Sequence, residues 1–113
     1  MRNGMVRLSV KLRARSPRAA RELLETLRVL MVSTRVEPGC KGCTASTDGG
    51  VTVRYAEKWA TKRDIRRRVR SRDFTSLLAL VECASAPPEV EFDFPDATRT
   101  LDFVAEVRAS QPH

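Results

Sequence analysis

The stretch EPGCKGCTASTDGGVTVRYAEKW, residues 37–59, decides the fold. Its DGG triplet at 48–50 is typical of a tight hairpin, because the turns that match strand twist need residues tolerant of positive φ. Hydrophobic and polar residues alternate over 51–59, which is the period of a half-buried strand. A weaker strand over 40–47 precedes the turn. The sequence therefore predicts two antiparallel strands joined by a short turn.

The second of these strands places a charge among apolar side chains. Val51, Val53, Tyr55, Glu57 and Trp59 share one face at this spacing. A carboxylate on an apolar face needs a partner or a function. Either a catalytic role or a salt bridge to an arginine, of the next helix or of a partner subunit, would explain it.

The flanking segments complete one domain. Alternation over 5–14 predicts a first strand, and Ser16-Pro17 is typical of a helix start before an apolar stripe over 17–35. A second helix begins near Thr61 and is continued from a cap at Ser71. A fourth strand follows over 89–94.

The tail from Asp96 to Arg108 shows both helical and strand spacings, so its state is left open. The order β-α-β-β-α-β predicts an α+β sandwich of the ferredoxin-like type. We expect a single domain over 1–113, with a core at about 5–95 and an extension over 96–113.

Composition favours a globular protein of the cytoplasm. The 113 residues are 42% hydrophobic and 31% charged, with no apolar run that suits a signal peptide or a membrane span. Three cysteines, an odd number, argue against a secreted disulfide framework.

The net charge of +7 admits a nucleic-acid partner, carried by arginines on one helix face at 63, 66, 67 and 70. Solvated surface arginines are the favoured alternative, since aromatic residues make up 5% of the chain and no base-stacking pattern appears.

The pair Cys40 and Cys43 has redox spacing but begins a strand rather than a helix. Residues three apart on a strand point to opposite faces, so a disulfide would need a bulge at Gly42. Cys83 and His113 do not complete a zinc site. We expect no metal, and Cys43 to be a small buried residue.

These residues together resemble the antibiotic biosynthesis monooxygenase family. EPGC at 37–40, Glu57-x-Trp59 and Phe74 carry the resemblance over about residues 5–95. It implies a homodimeric α+β barrel with a pocket between sheet and helices in each subunit. It further implies cofactor-independent oxidation of aromatic quinols or polycyclic phenols, or haem degradation. The haem branch needs a pocket His and Asn, but this chain has only His113 and Asn3, so we expect no cofactor.

The resemblance also implies roles for individual residues. Trp59 would be a stacking wall, Arg68 would stabilise an oxyanion and Glu57 would serve as base. The substrate-binding candidates are Tyr55, Phe74 and Cys43. The alternatives are that Trp59 is a core aromatic and that Arg68 is a surface side chain beside the apolar stripe.

Two functions follow as hypotheses. The first is a cofactor-independent monooxygenase acting on a small aromatic substrate. The second is a non-catalytic dimeric ligand-binding or scaffold protein with the same fold, which the missing pocket histidine favours. An open, arginine-lined cavity would support the first hypothesis, and a cavity filled by side chains would support the second.

Overall fold

The hairpin predicted from the DGG triplet forms one side of an antiparallel sheet in the computed structural model, which describes residues 4–110. Within that range the elements are β1 Val6–Arg13, α1 Pro17–Thr34, β2 Cys40–Thr47, β3 Thr52–Trp59, α2 Lys62–Arg70, α3 Arg72–Glu82, β4 Glu89–Phe94, β5 Ala97–Arg99 and α4 Leu101–Ala109. The described strands form one sheet in the order β2-β3-β1-β4-β5. The first four strands have the ferredoxin-like arrangement, so the predicted α+β fold is confirmed.

The two faces of the sheet differ as the alternation requires. On β1 the inward side chains are buried hydrophobics, Val6, Leu8, Val10 and Leu12, and the helices pack over them. The opposite face is polar, and an open groove of about 410 Å³ runs across it. Arg7, Lys11 and Arg54 line this groove together with Glu89 and Glu91. The core therefore lies between the sheet and the helices.

The helical region after β3 is divided at Ser71. Its hydroxyl accepts a hydrogen bond from the backbone N–H of Phe74, 3.1 Å away, and so caps α3 as predicted. The same residue ends α2. Each helix therefore begins with its own side-chain cap, Thr61 for α2 and Ser71 for α3.

The tail that the sequence left open forms both a strand and a helix. Strand β5 extends the sheet beyond β4, and α4 follows it. Phe103 of α4 packs against Phe92 and Phe94, with ring centroids 4.9 and 5.0 Å apart. The extension thus contributes to the core. None of the helices in residues 4–110 has the length and hydrophobicity to cross a membrane.

The turn between α1 and β2 is fixed to the start of α2. Gly39 has φ +87°, and a Cβ placed on it would overlap the carboxyl group of Asp64. Arg67 donates to the carbonyl oxygen of Pro38 at 2.6 Å, and the N–H of Ala60 donates to that of Gly39 at 2.8 Å. Glycine at position 39 therefore meets both a conformational and a steric requirement.

Replacing Gly39 with alanine is expected to lower the free energy of unfolding by about 2–3 kcal/mol, from left-handed backbone strain plus overlap with Asp64. Chemical denaturation measures this difference. Gly42→Ala is the matched control, because a Cβ there has no heavy atom within 4 Å and the φ of Gly42 is not positive. Equal stability of the two variants would contradict the expectation.

Candidate functional site

A cluster of polar side chains lies in the core between the sheet and the helices. We call it the Glu57 cluster. Its members are Thr34, Glu37, Cys43, Tyr55, Glu57, Trp59 and Arg68. Strand β3 places Tyr55, Glu57 and Trp59 on the inner face at alternate positions, as the sequence predicts. The cluster thus combines every catalytic candidate with two of the three substrate-binding candidates.

The carboxylate of Glu57 is completely buried and accepts four hydrogen bonds. Its Oε1 accepts from Trp59 Nε1 at 2.8 Å and from Arg68 Nε at 3.1 Å. Its Oε2 accepts from Arg68 Nη2 at 2.8 Å and from the hydroxyl of Tyr55. The salt bridge proposed as one explanation of this buried charge is confirmed.

Arg68 is held in the interior by α2, on the same side as Ile65 and Val69. It is 1% exposed, so its interpretation as a surface side chain is wrong: the guanidinium has buried acceptors that offset its desolvation. Besides Glu57, it donates to Thr34 Oγ1 and Glu37 Oε2, each at 3.2 Å. Burial alone would lower the pKa of Arg68, but the hydrogen bonds and charge of Glu57 raise it overall. The group therefore stays cationic.

Tyr55 and Cys43 extend the cluster along the sheet. The thiol of Cys43 donates to the Tyr55 oxygen at 3.2 Å, and Tyr55 donates in turn to Glu57. Burial raises the pKa of Cys43 to about 11. Burial and then the charge of Glu57 raise the pKa of Tyr55 above its ordinary value. Both groups stay protonated near neutral pH, so neither is suited to act as a base there.

The cysteines are free thiols. Cys43 is buried, as predicted, while Cys40 is half-buried. The register of β2 against β3 does shift between Cys40 and Gly42, which is the bulge that a disulfide would need. In residues 4–110 no group of three or more His, Cys, Asp or Glu side chains could hold a metal ion. His113 and Asn3 lie outside the described residues.

Side chains fill the interior at the cluster. Trp59 and Glu57 are fully buried, and Phe74 is 2% exposed. The guanidinium carbon of Arg68 lies 5.4 Å from the centroid of the Phe74 ring and 6.0 Å from that of Trp59. The resemblance placed a pocket here, and in this conformation the protein's own side chains occupy that space.

Sequence reasoning gave no role to two members of the cluster. Thr34 stands on the apolar stripe of α1, and a polar residue in that position was an available signal. Glu37 follows the helix and belongs to neither periodic pattern, so its place in the EPGC motif was the available signal. Its side chain is 22% exposed, so it forms the edge of the cluster that reaches solvent.

The arginine face of α2 is partly used within the fold. Arg67 binds the Asp64 carboxylate at 2.7 Å as well as Pro38, and Arg66 lies 5.9 Å over the ring of Phe103. Arg63 is exposed. These contacts give two of the four arginines a structural role.

Solved structures provide the comparison with known proteins, since no protein-family model and no curated protein matches the sequence. A conserved protein from Methanosarcina mazei Go1 superposes with a TM-score of 0.69 at 19% identity, covering 80% of this chain and 92% of its own. A monooxygenase from the gene ActVA-Orf6 of Streptomyces coelicolor, in complex with nanaomycin D, gives 0.64 at 21% identity, covering 83% and 88%. An antibiotic biosynthesis monooxygenase gives 0.63 at 21%, covering 81% and 97%.

The chain has the fold of the antibiotic biosynthesis monooxygenases. The resemblance drawn from EPGC, Glu57-x-Trp59 and Phe74 is therefore confirmed in the architecture. Identities of 19–21% establish the fold and not the reaction, because one fold hosts many activities. The Glu57 cluster has to support any argument about chemistry.

Proposed function

We propose that this chain is a monooxygenase of the antibiotic biosynthesis type, which oxidises an aromatic quinol or polycyclic phenol with molecular oxygen and without a bound cofactor. The observation that carries the proposal is the Glu57 cluster, a buried ion pair flanked by Trp59, Tyr55 and Phe74. It stands at the positions where the family resemblance implies the substrate.

Stability alone is a weak reason to keep such a cluster. Burying two charges costs several kcal/mol per ion, and well-packed apolar residues are often as stable or more so. Strongly perturbed ionisable groups gathered in one place mark candidate functional sites. Arg68, Tyr55 and Cys43 are three such groups within one hydrogen-bonded set. The burial of these ionisable groups is therefore better explained by a function than by stability.

The chemistry asks little of the protein. A cation beside a phenol favours the phenolate, and the phenolate transfers electrons to oxygen and forms a C–O bond. Loss of water then leaves a carbonyl at the carbon that bound oxygen. The phenol gives up the hydrogens of one C–H and one O–H bond and becomes a quinone, and the second oxygen atom of O₂ leaves with two hydrogens as water. Arg68 stabilises the anionic states, and Trp59 provides the stacking face. No external reductant is needed.

The geometry favours a positioning role for Glu57 over a basic one. All four of its acceptor positions are occupied by Trp59, Tyr55 and Arg68. A carboxylate in that state holds the indole and the guanidinium in fixed orientations. We assign Tyr55, Cys43 and Phe74 to the wall of the site, and the phenol proton leaves through solvent at the Glu37 edge.

A second candidate is a non-catalytic dimeric ligand-binding or scaffold protein. The specific observation that favours it is the filled interior, in which Glu57, Glu37 and Thr34 all bind Arg68. In that case the ion pair is structural. The two candidates are distinguished by whether the protein turns over an aromatic substrate.

The assembly proposed with this function is a homodimer in which the polar sheet faces meet. The groove on that face has both signs of charge, with Arg7, Lys11 and Arg54 near Glu89 and Glu91, which suits pairing with a second copy. A cytoplasmic location belongs to the same proposal, because free thiols fit a reducing compartment.

Oxygen uptake tests the function. The purified, metal-free protein is assayed against quinols and polycyclic phenols, with ¹⁸O₂ to follow one oxygen atom into product. Autoxidation would release peroxide, and catalase would then return oxygen to the solution. We expect uptake that catalase does not reverse, and a loss of about tenfold or more in Trp59→Ala. Uptake at the uncatalysed rate across the panel would favour the binding protein.

A further inference from the structure

We propose that Glu37 is a displaceable carboxylate: it occupies the Nη1 side of Arg68 until an anionic oxygen of an aromatic ligand, a phenolate or an aryl carboxylate, takes its place. This inference rests on the proposed function, because it names the charge of the substrate for that same site. It assigns a role to the first residue of the EPGC motif, which the chemistry above uses only as an edge of the cluster.

The two carboxylates that bind Arg68 are held very differently. Glu57 is fully buried and receives both Nε and Nη2 of the guanidinium, with a shortest distance of 2.8 Å. Glu37 accepts one hydrogen bond, from Nη1 at 3.2 Å, and its side chain is 22% exposed. Bidentate buried pairs are strong and directional, whereas a single bond at a solvent edge is weak. Glu37 is thus the partner that can exchange.

The electrostatics also favour exchange. Burial raises the pKa of Glu37; the charge of Arg68 opposes that rise, Glu57 and Asp73 add to it, and Arg67 again opposes it. If the carboxylate of Glu37 moves into solvent, it loses both its desolvation cost and its repulsion from Glu57 and Asp73. An incoming anion then restores the same net charge beside Arg68, so the buried guanidinium is never left with Glu57 alone.

The backbone around Glu37 is fixed, so the exchange involves its side chain. The N–H of Glu37 donates to the Thr34 carbonyl at 3.2 Å, which anchors it to the end of α1. The following turn is held by Arg67 and Ala60, as described above. A ligand ring that follows its anionic oxygen inward would meet Phe74 and Trp59, whose rings flank the guanidinium.

Binding of naphthalene-2-sulfonate, a flat aromatic that stays anionic at all relevant pH values, tests the exchange. Trp59 is the single tryptophan and reports binding by its fluorescence. At pH 7.5 we expect Glu37→Gln to bind this probe about fivefold more tightly than the wild type, because the competing charge is gone.

The pH dependence supplies a second readout. The pKa of Glu37 is raised, so its protonation on acidification releases Nη1 while the sulfonate stays ionised. Wild-type affinity is therefore expected to rise as pH falls from 7.5 toward 4.5, and that of Glu37→Gln to stay flat. A parallel rise in the variant would assign the titration to a group other than Glu37 and overturn the proposal.

The matched control is Glu25→Gln, which removes the same charge from the exposed face of α1. The proposal would be overturned by an equal gain in affinity for the sulfonate in this control or by no gain in Glu37→Gln. It would also be overturned if neither the wild type nor Glu37→Gln bound the probe. The neutral probe 2-naphthol is expected to show no such gain. Because binding needs no oxygen, the exchange can hold in a protein without turnover, and turnover can persist where the exchange fails.

Discussion

Replacing Arg68 with methionine is expected to lower the free energy of unfolding by about 3–5 kcal/mol, because it leaves the buried carboxylate of Glu57 without its cation. Methionine fills much of the same volume, so the loss reports charge and hydrogen bonding more than a cavity. Arg68 is 1% exposed and its partner Glu57 is fully buried, so water cannot replace the lost bonds. Urea denaturation followed by circular dichroism measures the change.

The double variant Arg68→Met/Glu57→Gln separates the charge from the packing. Glutamine keeps an oxygen that can accept from Trp59 or Tyr55, but it needs no cation. We expect this variant to be more stable than Arg68→Met by about 2 kcal/mol. A double variant no more stable than the single one would show that the unpaired charge is not the source of the loss.

The sheet and its faces followed from period and turn chemistry. Alternation over 51–59 correctly placed Tyr55, Glu57 and Trp59 on one inner face, because a strand reverses its side chains at every residue. The DGG turn and the Ser71 cap were local signals of the same kind. Strand alternation, turns and helix caps depend on residues that are close in the chain, so they can be predicted from a single sequence.

The interior of the site depended on contacts that no local pattern records. Arg68 lies one position from the apolar stripe, so periodicity alone favoured the surface; its burial follows from acceptors on β3 and at the end of α1. Glu37 joins the cluster across 31 residues of sequence. The tail was ambiguous because its state depends on Phe103 packing against Phe92 and Phe94 of β4, a tertiary contact that overrides local preference.

The ion pair between Arg68 and Glu57 creates a conflict between a fixed geometry at the site and access for a ligand. Four hydrogen bonds to Glu57 fix the orientation of Arg68 and Trp59, which is the preorganisation that electrostatic catalysis needs. They also close the interior to a ligand. A weaker partner at the edge resolves the conflict, since Glu37 can leave while Glu57 keeps the guanidinium in place.

Arg68→Lys is expected to lower kcat/KM for the proposed oxygenase reaction about 10²–10³-fold, the cost of losing one donor that stabilises an oxyanion. Lysine keeps the charge but is a single point donor on a flexible stem. In the native protein Nε and Nη2 bind Glu57, and Nη1 binds Glu37, the partner that a substrate oxygen would replace. An ammonium group cannot hold Glu57 in a bidentate pair and also present a fixed donor to the substrate.

Oxygen uptake with ¹⁸O incorporation measures this loss, at a temperature where circular dichroism shows both proteins folded. Arg63→Lys is the control, since Arg63 is exposed on the same helix and outside the cluster. Activity of Arg68→Lys within about threefold of the wild type would mean that positive charge alone suffices, without the guanidinium geometry. A drop in the Arg63 variant as large as that in Arg68→Lys would trace the effect to arginine-to-lysine replacement anywhere on α2 rather than to the buried site.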